Sequence, residues 1–264
     1  CREGARVSRD RDRQARGRVV PTFDNLEFSS DYQFSFSNAV LHQLELQQRR
    51  TLYKKRPDLW SRDILGITLW SKQVEVALSI VNHHDTMVAA CHASGKSFLT
   101  AVLICWWIDV HPIGEARVLS TAPTTAQVRG IVWREVQKLH KLSRDRYQEY
   151  CDAKKRGEST QGLPDHCLPG YITSSATWRN FDGLELGSGR TPPRGREGDA
   201  FQGIHGGVFA IADEAVGVSA DMIGTLGNNT TADDDRMLMI ANPTNPLSEM
   251  GQIWNDPKRA SRWS

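Results

Sequence analysis

The sequence predicts a doubly wound α/β domain, a mostly parallel sheet with helices on both faces. Three observations carry that expectation. Short apolar runs ("DTMVAA", "ARVLSTA", "GVFAIADEA", "RMLMIANPTNP") alternate with longer segments of helical periodicity. The runs end in small or polar residues, as strands do at the carboxyl edge where such sheets bind ligands. With 264 residues, 39% hydrophobic and 24% charged, the chain can bury a large core without disulfides or metal.

Taken in order, residues 1–20 read as a flexible basic arm, carrying Arg2, Arg6, Arg9, Arg11, Arg13, Arg16 and Arg18 with little that is apolar. It has no apolar stretch behind it, so it is not expected to be a signal peptide. Residues 21–60 are expected to form a helical accessory, with an amphipathic helix over 38–55 that Pro57 closes. Residues 61–250 form the main domain. Its first helix, "ITLWSKQVEVALSIVNHH", has Ser71 as the expected cap and Val74, Ala77, Leu78 and Val81 facing inward. A strand at Met87–Ala90 leads into "KSFLTAVLICWWIDVH", a helix apolar enough to be buried. A strand at Val118–Thr121 precedes a helix placing Val128, Ile131, Val132, Val136 and Leu139 on one side. Residues 143–165 read as exposed helix and loop. Strands at Val208–Ala212 and Leu238–Ala241 follow, and 251–264 read as the start of a linker.

Several classes are disfavoured. A net charge of +2 rules out a polycation, and no apolar run approaches the roughly 18 residues of a membrane span. Five cysteines without CxxC spacing suggest a reduced, intracellular protein. Cys151, His166 and Cys167 lack a fourth ligand at metal-site spacing.

The chemistry concentrates at strand ends. "ACHASGKSFLT" ends as a phosphate-binding loop ends, although Ala90 replaces the first glycine of G-x-x-x-x-G-K-[ST]. His92, Ala93, Ser94 and Gly95 would form the loop, Lys96 would reach the β- and γ-phosphates, and Ser97 would offer a hydroxyl to Mg²⁺. A strand before the loop and a buried helix after it are the context such a loop needs. "VFAIADEA" places Asp213 and Glu214 at a strand end, Asp213 for Mg²⁺ and Glu214 to polarise the water attacking the γ-phosphate. Asn242, after the last strand, is a candidate γ-phosphate sensor. Gln73 is a candidate reader of adenine, with Trp70 beside it to stack. Arg190, Arg194 and Arg196 in "GRTPPRGREGDAFQG" are candidates for an arginine finger, Arg194 and Arg196 foremost. Together these features describe a P-loop NTPase of the RecA-like kind. A helicase-type ATPase and a non-enzymatic nucleotide-binding scaffold are the alternatives; the first needs a second motor domain, the second would not need Glu214.

The pattern resembles one family, the large terminase subunit of tailed double-stranded DNA phages. "LWSKQVEVALSI" is similar to its adenine motif, and "VAACHASGKS" to its Walker A, which tolerates loss of the first glycine. "VLSTAPTTAQVRGIVWREV", "GDAFQGIHGGVFAIADEAVGV" and "MLMIANPTNP" resemble the following strand and helix, the Walker B segment and the coupling motif. His92 stands where many members carry arginine. The resemblance implies ATP and Mg²⁺ as cofactors, and double-stranded DNA, portal protein and small terminase subunit as partners. It also implies a homo-oligomeric ring on the portal, a monomer in isolation, and work in the host cytoplasm and on the procapsid. It further implies a coupling strand lying between the phosphate-loop strand and the Walker B strand. Members carry a nuclease domain after the ATPase; only ~20 residues follow the coupling motif here, too few for such a domain, so nuclease activity is not expected.

Overall fold

A computed structural model describes residues 44–45, 47–191, 201 and 206–264. The basic arm, most of the helical accessory, and Arg194 and Arg196 lie outside the described residues. Seven strands form one sheet in the order β1-β7-β6-β2-β5-β4-β3. They are β1 (Asp85–Ala89), β2 (Ala116–Thr121), β3 (Tyr171–Ile172), β4 (Thr177–Arg179), β5 (Glu185–Gly189), β6 (Gly207–Asp213) and β7 (Arg236–Ala241). From β1 to β5 the neighbours pair in parallel; β4 and β3 add on antiparallel. β7, the strand of "MLMIANPTNP", therefore lies between β1 and β6, the position that the resemblance implied for it.

The apolar runs explain this arrangement. Strands buried on both faces must alternate between two cores. Val118, Phe209, Ile211, Leu238 and Ile240 enter one. Leu119, Val208, Ala210, Ala212, Met237 and Met239 enter the other. The three strands at the β5 side were not expected from the sequence. They are short and polar, and their clearest signal was Asp182-Gly183, a turn pair between β4 and β5.

The helices begin with α1 (47–55), which ends two residues before Pro57. Pro57 does not only close α1. It also opens α2 (Pro57–Leu65) at the position where its missing N–H costs nothing, and Gly66 at φ 69° ends that helix. In α3 (Ser71–Asn82) the cap is Trp70, not Ser71. The Gln73 side-chain oxygen accepts from the Trp70 N–H at 3.4 Å, so the third residue of the helix satisfies the end that Ser71 was expected to hold. The buried side of α3 is Gln73, Ala77 and Ile80, with Val74, Leu78 and Val81 half-buried.

Helix α4 (Lys96–Val110) is buried over nearly its whole surface, as its composition demands. After β2, the chain forms a single turn α5 (Thr125–Gln127), a π-helical stretch at Val128–Val132, then α6 (Trp133–Arg156). The wider π turn corrects one expectation. Val128, Val132, Val136 and Leu139 are buried, but Ile131 is 44% exposed. Bonding to i+5 rotates it off the inner face, and Trp133 takes its place. Trp133 Nε1 donates to Ser120 Oγ at 2.8 Å, and a side chain at Gly189 would collide with its indole.

Past β6 come α7 (Ala220–Asn228), β7, α8 (Glu249–Asn255) and α9 (Pro257–Ala260). Residues 251–264, expected to run towards a linker, lie against the domain. Met250 and Ile253 enter the second core. The Ser264 N–H donates to the Asp85 carbonyl and the Met87 N–H to the Ser264 carbonyl, both at 3.0 Å, extending the sheet past β1. No helix among the described residues is long and apolar enough to cross a membrane.

Candidate functional site

The loop between β1 and α4 turns back on itself through two left-handed residues, Ala93 at φ 60° and Gly95 at φ 81°. Glycine suits the second; alanine at the first carries strain of the kind found at ligand loops. Lys96 opens α4, and its Nζ donates to the carbonyls of Cys91 at 2.9 Å and Ala90 at 3.3 Å. Ser94 Oγ also donates to the Cys91 carbonyl, at 2.9 Å. The Ala90 N–H donates to the Ala241 carbonyl at 2.9 Å, fastening the loop to the end of β7. The first turn of α4 leaves backbone N–H groups facing the loop, a seat for anions. His92 and Ala93 are exposed at its rim, and Ser94, Gly95 and Ser97 are half-buried.

Two strands away, β6 delivers its carboxylates to the same edge. Asp213 is 2% exposed and its Oδ1 has no hydrogen-bond partner. Burial, then the neighbouring Glu214 charge, push its carboxyl up to about 6, while Lys96 and the Ser97 hydroxyl pull the other way. Glu214 takes a left-handed conformation at φ 49°, uncommon for a residue with a side chain. That turn brings its Oε1 to 3.9 Å from Lys96 Nζ. A buried carboxylate oxygen with no partner, next to a hydroxyl, suits a divalent cation that draws its remaining ligands from phosphate and water. Among the described residues no larger His, Cys, Asp or Glu cluster is placed to hold a metal. His166 instead pairs with Asp109 and Asp165.

Gln73 is buried beside the loop: a side chain built on Gly95 would meet its Nε2 at 2.9 Å. It lines a cavity of about 580 Å³ with Trp70, Gly95, Lys96, Ile240, Trp254 and Ser264. Asn242 follows β7 and is half-buried. Arg190 pairs with Glu185 at 2.8 Å. Sequence reasoning missed Trp254 and Ser264. Their only signal was an exposed tryptophan in a short helix, and nothing in the sequence says where that helix lies.

The order of strands and the loop at the end of β1 define an α/β P-loop fold. No family model matches the chain, and no curated protein does. Solved structures do. The ATPase domain of the Thermus phage P74-26 large terminase is 17% identical with a TM-score of 0.50, covering 75% of this chain and 74% of that one. The large terminase of a thermophilic bacteriophage is 14% identical with a TM-score of 0.50, covering 73% of this chain and 44% of that one. The HK97 bacteriophage large terminase is 17% identical with a TM-score of 0.49, covering 74% of this chain. The chain spans 38% of the HK97 protein and less than half of the thermophilic phage protein. At this identity the likeness establishes a shared fold.

Proposed function

We propose that the chain is the ATPase motor domain of a phage large terminase. In this reading it hydrolyses ATP with Mg²⁺ to drive double-stranded DNA into a procapsid. The observation that carries the reading is the meeting of Lys96 and Ser97, from the start of α4 after β1, with Asp213 and Glu214, from the end of β6, across the intervening β7.

The roles follow from chemistry. The loop N–H groups and the Lys96 ammonium bind the β- and γ-phosphates; Lys96 leaves its carbonyl partners to do so. Ser97 and Asp213 would hold Mg²⁺, which neutralises phosphate charge as the γ-phosphoryl leaves. Glu214 orients the attacking water and accepts its proton. Asn242, at the end of the strand between loop and base, is positioned by sequence to sense the γ-phosphate. Gln73 and Trp70 take the adenine. Arg194 or Arg196 of a neighbouring subunit would supply the transition-state cation, which makes hydrolysis depend on a ring. The partners are then duplex DNA, the portal and the small terminase subunit, in the infected host's cytoplasm and on the procapsid.

The test is phosphate release from Mg·ATP by the purified chain, with and without duplex DNA and portal. The reading expects slow turnover alone and stimulation by both together. A chain that binds ATP but never hydrolyses it under any of these conditions is a scaffold, and the motor reading fails.

A further inference from the structure

Two of the large apolar side chains left exposed, Trp70 at 52% and Trp254 at 55%, line the same cavity. A single exposed tryptophan is ordinary; two in one cavity are not. They arrive from far apart in sequence, Trp70 from the residue before α3 and Trp254 from α8. The helix holding Trp254 is fixed. Met250 and Ile253 anchor it with 2% and 4% exposure, and Trp254, one residue on, is rotated away from that core. The tail beyond it is pinned by the backbone bonds of Ser264 to β1 and by Ser79 Oγ donating to Ser264 Oγ at 2.9 Å. The wall bearing Trp254 is thus part of the framework.

The lining is graded. One end has Lys96, Gly95 and the loop carbonyls; the remaining lining includes the two indoles, Val88 and Leu99, the buried amide of Gln73, and the polar Lys72, Glu75, Ser79 and Thr86. Two indoles with a buried amide beside the phosphate end suit a flat ligand with a π face and a hydrogen-bonding edge. A nucleotide carries phosphate at one end and such a ring at the other, and a purine offers two indoles the larger stacking face.

We infer that Trp254 forms a second aromatic wall of the base site, stacking on the purine of a nucleotide whose phosphates sit at Lys96. This rests on the nucleotide-hydrolase reading and adds to it a specificity residue from the C-terminal helices.

The experiment is calorimetric titration of the whole chain with ADP and, separately, with inorganic tripolyphosphate, each with Mg²⁺. Tripolyphosphate has no base and reports the phosphate seat alone. Trp254→Ala should weaken ADP binding about tenfold, the scale of one base–aromatic stack, and leave tripolyphosphate binding unchanged. Trp254→Phe should keep most of the ADP affinity. Phe181→Ala, removing an 85% exposed ring outside the cavity, should change neither. Unchanged ADP affinity in Trp254→Ala overturns the inference and leaves the hydrolase reading intact. Equal loss of both ligands overturns it too, because the effect then lies in the phosphate seat. If the unaltered chain binds neither ligand, the hydrolase reading falls and takes the inference with it.

Discussion

Asp213 sits in a conflict that gives it away. A carboxyl buried at 2% exposure beside Glu214, with one oxygen unpartnered, destabilises the empty protein when ionised. Its carboxyl is raised to about 6 from 3.8. A raised value in the folded state means stability that is full below the unfolded value and is lost as pH rises through about 6. Asp213→Asn should therefore raise the melting temperature of the nucleotide-free chain near pH ~8 by a few degrees, an effect on the order of 1–3 kcal/mol. The same variant should lose the stabilisation that Mg²⁺ with ADP gives the unaltered chain. Thermal melts with and without Mg·ADP check both halves. Proton and cation compete for one carboxylate, so Mg²⁺ affinity should fall as pH drops through about 6. A pH-independent Mg²⁺ titration would remove Asp213 from the cation site. Lys96→Ala should abolish tripolyphosphate binding, since the ammonium is the loop's own cation.

At the scale of elements, α1, α2, α4 and the loop after α6 are tied by one polar network. Asp109 near the end of α4 accepts from Trp60 Nε1 at 2.7 Å and faces His166 Nε2 at 3.1 Å. His166 Nδ1 faces Asp165 at 3.2 Å, and Arg49 of α1 holds Asp165 at 2.7 Å. Burial would lower the imidazole, but hydrogen bonds and charge from Asp109 and Asp165 outweigh it and raise the ring to about 9. Stability from this cluster is full below the unfolded value of 6.5 and is lost as pH rises through about 9. The ring keeps 40% of its surface in water, which screens part of the effect. His166→Gln should lower the denaturation midpoint near neutral pH and cost progressively less towards pH ~10. Urea titrations at the two values check this; an equal cost at both would mean the ring is neutral.

The four central strands were legible because strands buried on both faces must be short and apolar. β3, β4 and β5 were not, having two, three and five residues with glycines at Gly187 and Gly189. Those glycines are there because α6 and β2 pack where a side chain would be. The π turn that exposes Ile131 left no periodic mark. Lys96, Ser97, Asp213 and Glu214 were readable as linear motifs, each tied to one strand end. Trp254 was not, because its place in the cavity depends on the path of α8 and α9.

In the proposed reading the whole molecule supplies phosphate binding, a cation site and a base, and the arginines proposed to complete them are expected from another copy. Mixing a Lys96→Ala chain, unable to bind ATP productively, with an Arg194→Ala/Arg196→Ala chain should restore part of the turnover that each lacks. The measure is phosphate release against mixing ratio. Co-assembly without rescue would place the cation in cis or elsewhere.

The central claim is that Glu214, set at the end of β6 in a strained turn 3.9 Å from Lys96, is the base of an ATPase. It is tested most directly by measuring ATP affinity and single-turnover phosphate release for the unaltered chain and for Glu214→Gln. The expected result is nearly equal ATP affinity and a loss of hydrolysis of roughly 10²–10⁴-fold, the range for removing a general base. Glu214→Gln hydrolysing ATP at the unaltered rate would contradict it.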